Sequence, residues 1–174
     1  MTLGHALKWA AAALLVAGCA SMGNSGSRAT AQLAPTAGNS ATGTVTFTRA
    51  GDRVRVVAEV SGLTSGPHGF HVHEKGDCSA PDATSAGGHF NPGSQPHGNP
   101  AVGAHHAGDM PMLVADASGK ASLDVTLPTI SLGSGANGIV GRAVVVHKDP
   151  DDFKSQPAGN SGARIACGVI VAAS

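Results

Sequence analysis

The stretch Thr44-Val-Thr-Phe-Thr-Arg-Ala-Gly-Asp-Arg-Val-Arg-Val-Val-Ala-Glu-Val60 contains two runs in which apolar and polar side chains alternate. Alternation with a period of two is typical of half-buried β-strands, because successive side chains of a strand point to opposite faces. Between the runs, Ala50-Gly-Asp52 supplies residues that favour a tight turn. The stretch therefore predicts two neighbouring strands, 44–48 and 53–60, each with one face in a core.

Short runs of the same kind recur along the chain, and no stretch has the apolar period of a helix. The further predicted strands are 29–35, 69–74, 111–115, 121–127, 141–147 and 164–171. A chain with 25 Gly, 10 Pro and no Tyr is typical of a turn-rich β protein. These features predict an all-β fold, an eight-stranded Greek-key barrel or immunoglobulin-like sandwich.

Two long segments, 75–110 and 148–163, interrupt the predicted strands. Loops of this length in a compact domain are usually functional or disordered. Because they carry ligand-type side chains and a cysteine, we expect both segments to be functional loops.

The N-terminus has the features of an export signal. Lys8 and the initiating amine form a short positive region, and 9–17 is an apolar stretch too short to span a bilayer. Leu15-Val-Ala-Gly-Cys19 resembles the lipobox of bacterial lipoproteins, in which the cysteine is acylated and becomes the first residue. We expect a signal peptide over 1–18, a flexible tether over 19–28 with acylated Cys19, and one domain over 29–174. An ordinary secretory signal is the alternative.

The charge balance limits the possible partners. The formal net charge is zero, and removal of residues 1–18 takes Lys8 away, so that Lys+Arg falls from 11 to 10 against 11 acidic residues. This balance argues against nucleic acid as a partner and restricts any attraction for an anion to a local site. The expected membrane contact is the lipid on Cys19. Because Ala20 follows it, we expect a location in the bacterial periplasm or envelope, at the outer membrane.

Apart from Cys19, the chain contains only Cys78 and Cys167, which lie 89 positions apart. In an exported protein two such thiols favour one disulfide, worth about 4–5 kcal/mol from the loop that it closes. Two free buried thiols are the alternative and would suit a cytosolic chain.

Histidines recur at spacings that suit metal binding. In the strand 69–74, His71 and His73 share one face, while Phe70 and Val72 point into the core. His147 ends another predicted strand and would face outward beside them. We therefore expect three imidazoles together on the outer surface, a set that suits copper or zinc. By itself, a His-X-His pair on a strand is more often exposed and without a ligand.

A second group of metal-binding side chains lies within the first long loop. It consists of His89, His97, His106 and Asp109. Three nitrogens and one carboxylate form a four-coordinate site of the type that zinc accepts, and the ion would order a loop rich in Gly and Pro. A polar surface loop with scattered histidines is the alternative.

Five motifs, taken in order, resemble the copper/zinc superoxide dismutase family from about residue 30 to the end of the chain. They are Gly69-Phe-His-Val-His-Glu74, Gly88-His-Phe-Asn-Pro92, His106-Ala-Gly-Asp109, Gly141-Arg-Ala-Val-Val-Val-His147 and Gly159-Asn-Ser-Gly-Ala-Arg-Ile-Ala-Cys-Gly-Val-Ile170. The resemblance implies an oxidoreductase that converts two superoxide anions and two protons into dioxygen and hydrogen peroxide.

The resemblance also implies one copper and one zinc per subunit and a role for each site residue. Copper would be bound by His71, His73, His89 and His147, and zinc by His89, His97, His106 and Asp109. Arg164 would lie beside copper and act in catalysis with the shared His89. Asp151 would link a copper histidine to a zinc histidine and fix both rings, and Cys78 and Cys167 would form the intrasubunit disulfide.

Other residues near the motifs receive different interpretations. His68 is expected to form hydrogen bonds and not to bind metal, and His106 is preferred over His105 because only His106 keeps the spacing to Asp109. Lys75 and Lys154 are candidates for attracting anions, with simple solvation as the alternative.

The chain departs from the eukaryotic pattern in two loops. Residues 79–83 read as an insertion, and the loop after His147 is short, as in bacterial members. A homodimer and a monomer therefore both remain open. The alternative to an enzyme is a non-catalytic envelope lipoprotein that binds copper and zinc.

Overall fold

The computed structural model describes Met1 and residues 27–173. Its nine strands are β1 Arg28–Pro35, β2 Thr42–Ala50, β3 Arg53–Ser61, β4 Gly66–His68, β5 Phe70–His73, β6 Leu113–Ala115, β7 Ala121–Leu127, β8 Ala143–His147 and β9 Arg164–Ala172. Within these residues the one helix is a 3₁₀ turn, Thr84–Ala86, and no helix could cross a membrane. The predicted signal peptide, Cys19 and most of the tether lie outside the described residues.

Seven strands form one curled antiparallel sheet in the order β5-β8-β9-β1-β2-β3-β7, and β4 pairs with β6 in a second. β2 and β3 pair along their whole length, from Thr42 opposite Ser61 to Ala50 opposite Arg53. The hairpin predicted from alternation is therefore confirmed. The strand order of the sheet, in which β5 and β8 lie at one edge and β3 and β7 at the other, agrees with the predicted all-β Greek-key class.

All eight predicted strands are present, and a ninth, β4, was not predicted. β4 is only three residues long and contains Pro67, a residue that weakens any prediction of a strand. The other differences are at strand ends: β6 begins at Leu113 and β8 at Ala143, two residues later than expected in each case.

The main core lies on the concave side of the curled sheet and follows the predicted alternation. In β3, every second side chain from Val54 to Val60 is buried, and Val45 and Phe47 of β2 are fully buried beside them. Phe70 and Val72 of β5 belong to the same apolar cluster. The alternate side chains of β5, His71 and His73, must therefore point to the opposite face.

Part of the first long loop runs along the free edge of β5. The Val72 N–H donates to Gly108 O at 2.9 Å, and Val72 O accepts the Phe90 N–H at 2.8 Å. Two isolated bridges extend this pairing, His71 opposite Asp109 and His73 opposite His89. The backbone of β5 thereby places ligand-type side chains of the loop directly beside its own histidines.

Candidate metal centre

Four histidines from two strands and one loop converge on one point, and we call them the four-histidine group. They are His71 and His73 of β5, His147 at the end of β8, and His89 of the paired loop. Each offers one ring nitrogen, and these nitrogens all lie within 4.8 Å of one another. The His73 and His147 Nε2 atoms, for example, are 3.4 Å apart.

The predicted exposure of the strand histidines was wrong. His71, His73 and His147 are 0%, 1% and 4% exposed. They leave the sheet on the side opposite the core, as alternation requires, but segments 75–110 and 148–163 cover that side with carbonyl and carboxylate groups. The site is therefore an interior one, formed between a sheet face and two loops.

A second group shares one of these histidines, and we call it the histidine–aspartate group. It consists of His89, His97, His106 and Asp109, all buried, with ligand atoms within 4.8 Å of one another. Asp109 lies at its centre: Oδ1 is 2.9 Å from His89 Nδ1, and Oδ2 is 3.1 Å from His97 Nδ1. The loop residues grouped from sequence are thus brought together.

His89 faces both groups through opposite edges of its ring. Its Nδ1 lies 2.9 Å from Asp109 Oδ1 and 3.4 Å from His106 Nδ1. The ring stacks on that of His71, with centroids 3.9 Å apart, and its Nε2 is left for the four-histidine group. One imidazole can therefore serve two ions.

Three buried ring nitrogens have no hydrogen-bond partner: His71 Nδ1, His89 Nε2 and His97 Nδ1. A buried polar atom left without a partner costs about 1–3 kcal/mol, so three of them in one cluster require an explanation. Each belongs to a group whose ligand atoms already converge, and a bound metal would satisfy it. A four-nitrogen set and a set of three nitrogens with one carboxylate suit copper and zinc, respectively.

Asp151 connects the two groups from the covering loop 148–163. Its Oδ2 accepts a hydrogen bond from His71 Nε2 at 2.7 Å, and its Oδ1 accepts one from His97 Nε2 at 2.9 Å. Both rings therefore carry a proton on Nε2, which leaves Nδ1 free to bind an ion. This is the arrangement that the sequence resemblance implied.

Burial keeps the four-histidine group neutral. It lowers the pKa of His89 to about 4 and that of His147 to about 3, and it lowers the pKa of His73 well below its usual value. The pKa of His71 is also lowered by burial, against the opposing hydrogen bond to Asp151. Neutral imidazole is the form that binds metals, so the group requires no proton release near pH 7.

The histidine–aspartate group has the opposite electrostatics. Burial would raise the pKa of Asp109, but hydrogen bonds from His106, His89 and His97 hold it below its usual value. Burial lowers the pKa of His97, but the carboxylates of Asp109 and Asp151 outweigh this effect and raise it to about 9. The two carboxylates thus create a negative interior position that favours a cation.

Arg164 begins β9 and extends toward the metal-binding nitrogens. Its guanidinium donates to Ala83 O and Gly87 O, both at 2.6 Å. It lines a cavity of about 300 Å³ together with His73, His89 and His147. Burial lowers the pKa of Arg164, yet an arginine remains cationic at any working pH. The cavity therefore has a fixed positive charge beside four histidines, because His106 also lines it.

Cys78 and Cys167 form the predicted disulfide, with their Cα atoms 5.8 Å apart. The bond joins β9, three residues after Arg164, to the loop that carries Ala83 O and Gly87 O. Val145 of β8 points away from the main core and is fully buried in a small cluster with Cys167. The disulfide therefore attaches the loop that holds the Arg164 guanidinium to β9.

The remaining candidates have structural or solvent contacts. His68 is 2.9 Å from His147 O through Nδ1 and 2.8 Å from Thr64 O through Nε2, in line with the expected hydrogen-bonding role. Among the described residues, the His105 ring forms a hydrogen bond only with the carbonyl of Gly103. His106, and not His105, belongs to the histidine–aspartate group. Lys75 and Lys154 are exposed, and neither is among the cavity-lining residues.

Two residues of loop 148–163 contact the site and were not predicted. A Cβ on Gly159 would collide with Asp151 Oδ1 and lie 2.6 Å from His97 Nε2, so only glycine fits over the two side chains. Gln156 binds the backbone of His97 through its side-chain amide. An exposed glutamine in a loop has no sequence signal for such a contact, because it depends on how two distant loops meet.

The fold and the site together define a β-sandwich metalloprotein with two adjacent metal positions that share one imidazole. The model of the family described as "Copper/zinc superoxide dismutase (SODC)" matches residues 41–170. The chain is 42% identical to the "Superoxide dismutase [Cu-Zn]" of Deinococcus radiodurans, over 75% of this chain and 78% of that protein. The crystal structure of the clock protein EA4 superposes with a TM-score of 0.77 and 42% identity, covering 84% of this chain and 95% of that chain.

The chain belongs to the copper/zinc superoxide dismutase family. It is an oxidoreductase that acts on superoxide, with copper and zinc as its cofactors.

Proposed function

We propose that the four-histidine group binds one copper and that the histidine–aspartate group binds one zinc in each chain. The observation that carries this assignment is His89, whose two ring nitrogens face different groups while its Nε2 lacks a protein partner. The all-nitrogen set suits the redox-active ion, and the set that contains Asp109 suits zinc.

Bound copper supplies the one-electron chemistry by which two superoxide anions and two protons become dioxygen and hydrogen peroxide. The protein residues prepare the site for this reaction. Arg164 attracts the anion and orients it in the cavity that also contains His147. Asp151 holds the Nε2 protons of His71 and His97, and His89 Nε2 is a buried position at which one of the consumed protons can be carried.

Metal analysis of the purified chain, combined with an assay of superoxide removal, tests this assignment. We expect one copper and one zinc per chain. Removal of both ions should abolish the activity, and copper alone, but not zinc alone, should restore most of it because zinc has no redox chemistry. If both ions bind in the expected ratio without superoxide removal, the chain is instead a metal-binding lipoprotein of the same fold.

We further propose that the enzyme is anchored to the bacterial envelope through a lipid on Cys19 and protects the envelope from superoxide. The lipobox-like Leu15–Cys19 sequence and the short polar tether after it support this location, with Ala20 in favour of the outer membrane. Superoxide is an anion and crosses a bilayer poorly. It must therefore be removed by an enzyme on the side of the membrane where it forms.

Replacement of Cys19 by alanine tests the anchor. We expect Cys19→Ala to move the enzyme from the membrane fraction to the soluble envelope fraction, because it removes the site of acylation. The activity per bound copper should be unchanged, since the catalytic domain begins beyond the tether. If the unaltered chain incorporates no labelled fatty acid, or Cys19→Ala incorporates as much as the unaltered chain does, the lipid on this residue is excluded as the anchor.

A further inference from the structure

The side-chain amide of Gln156 pairs with both polar groups of the His97 backbone, and we call this pair of hydrogen bonds the Gln156 clamp. Its Oε1 accepts the His97 N–H at 2.8 Å, and its Nε2 donates to His97 O at 2.9 Å. This is the pattern of one rung of a β-ladder, made here by a side chain. His97 lies in a loop without a strand partner, so Gln156 satisfies both of its backbone groups.

His97 is consequently held at both ends by loop 148–163. The ring is fixed by Asp151, which accepts its Nε2 proton at 2.9 Å, and the backbone is fixed by Gln156. Together these contacts orient Nδ1 within the histidine–aspartate group. Asp109 Oδ2 lies 3.1 Å from that nitrogen, so the two atoms are placed to bind the same cation.

The segment that carries Gln156 is itself internally braced. Asp152 Oδ1 accepts the backbone N–H groups of Lys154 and Ser155 at 2.9 and 2.8 Å, and its Oδ2 accepts Asn160 Nδ2 at 3.1 Å. Gln156 Nε2 also donates to Lys154 O at 3.2 Å, which orients the amide toward His97. The Gln156 clamp is therefore presented by an ordered turn.

We propose that Gln156 is a positioning residue for the histidine–aspartate group. It keeps the His97 Nδ1 lone pair directed at the ion and thereby slows the loss of zinc. The inference rests on the proposed assignment of zinc to this group. Groups that orient a ligand from outside the coordination sphere typically change metal affinity by about 10–100-fold when they are removed. Because solvent can replace part of what an exposed amide contributes, we expect an effect near the lower limit.

The test uses the full chain with cobalt(II) or zinc in the histidine–aspartate group. We expect Gln156→Ala to release zinc to a chelator about tenfold faster than the unaltered chain. The visible absorption bands of bound cobalt should change, because the geometry at His97 Nδ1 changes. Gln156→Glu should be intermediate, since it can still accept the His97 N–H but cannot donate to its carbonyl. Gln156→Asn, one methylene shorter, should not restore the clamp.

Gln95→Ala is the matched control. Gln95 lies in the same loop as His97, but its side-chain amide donates only to the nearby Gly93 O among the described residues. Gln95→Ala should leave zinc release and the cobalt bands unchanged. If Gln156→Ala lowers only the melting temperature and matches Gln95→Ala in both metal readouts, Gln156 is structural and the inference is overturned. If the unaltered chain binds no zinc or cobalt in this group, the proposed assignment fails and the inference with it.

Discussion

Replacement of both Cys78 and Cys167 by serine should lower the free energy of unfolding by about 4–5 kcal/mol. The reason is the length of the loop: the bond joins positions 89 residues apart, and its loss gives the unfolded chain much more conformational freedom. For a domain of this size the melting temperature should fall by about 10–20 °C. Denaturant unfolding of the oxidised protein and of the double variant measures the difference.

The same replacement should also lower activity in the folded protein. Ala83 O and Gly87 O, which accept the hydrogen bonds of Arg164, lie on the loop that the disulfide attaches to β9. Without the bond, these carbonyls should hold the guanidinium less firmly. The matched control is the unaltered chain after chemical reduction, which should behave like the double variant. If the double variant loses less than about 1 kcal/mol in free energy of unfolding, the loop closed by the disulfide contributes little to stability.

Arg164→Ala should lower the second-order rate of superoxide removal by about 10- to 100-fold. The variant removes the fixed positive charge of the cavity, so the anion is no longer attracted or oriented beside His147. Added salt slows the attraction of an anion to a cation, and the variant should therefore depend less on ionic strength. Pulse or stopped-flow kinetics at low and high salt measure both effects. The copper and zinc contents should stay unchanged, because Arg164 belongs to neither ligand group.

Two further variants separate charge from geometry. Arg164→Lys keeps the charge but cannot donate to two carbonyls in the same fork, so it should restore only part of the rate. Arg55→Ala removes the same unit of charge from an exposed ion pair with Asp124, on the strands at the other edge of the sheet from β5, and it should have little effect. A rate in Arg164→Ala equal to that in Arg55→Ala would remove Arg164 from the mechanism.

Features that depend on local backbone geometry could be predicted from the sequence. Alternation over 44–60 was sufficient for the β2–β3 hairpin, because side-chain direction in a strand repeats every two residues. The same rule placed His71 and His73 together on the face opposite Phe70 and Val72. The two sets of metal-binding side chains were also identified, since their chemistry is unusual and their motifs resemble one family.

Burial and contacts between loops required the tertiary structure. Whether the face of β5 that carries His71 is open or covered depends on how segments 75–110 and 148–163 fold over it, which no local pattern encodes. The Gln156 clamp was missed for the same reason, whereas β4 was missed because it is only three residues long and contains Pro67.

The sequence by itself determined which side chains are available to bind metals, which strands alternate, and which cysteines can pair. Only the tertiary structure decided that His89 presents its two ring nitrogens to different groups and that Asp151 and Gln156 of one loop hold His97 of another. The physical reason is distance along the chain. Local geometry follows from neighbouring residues, whereas a contact between residues 97 and 156 exists only after both loops have closed over the sheet.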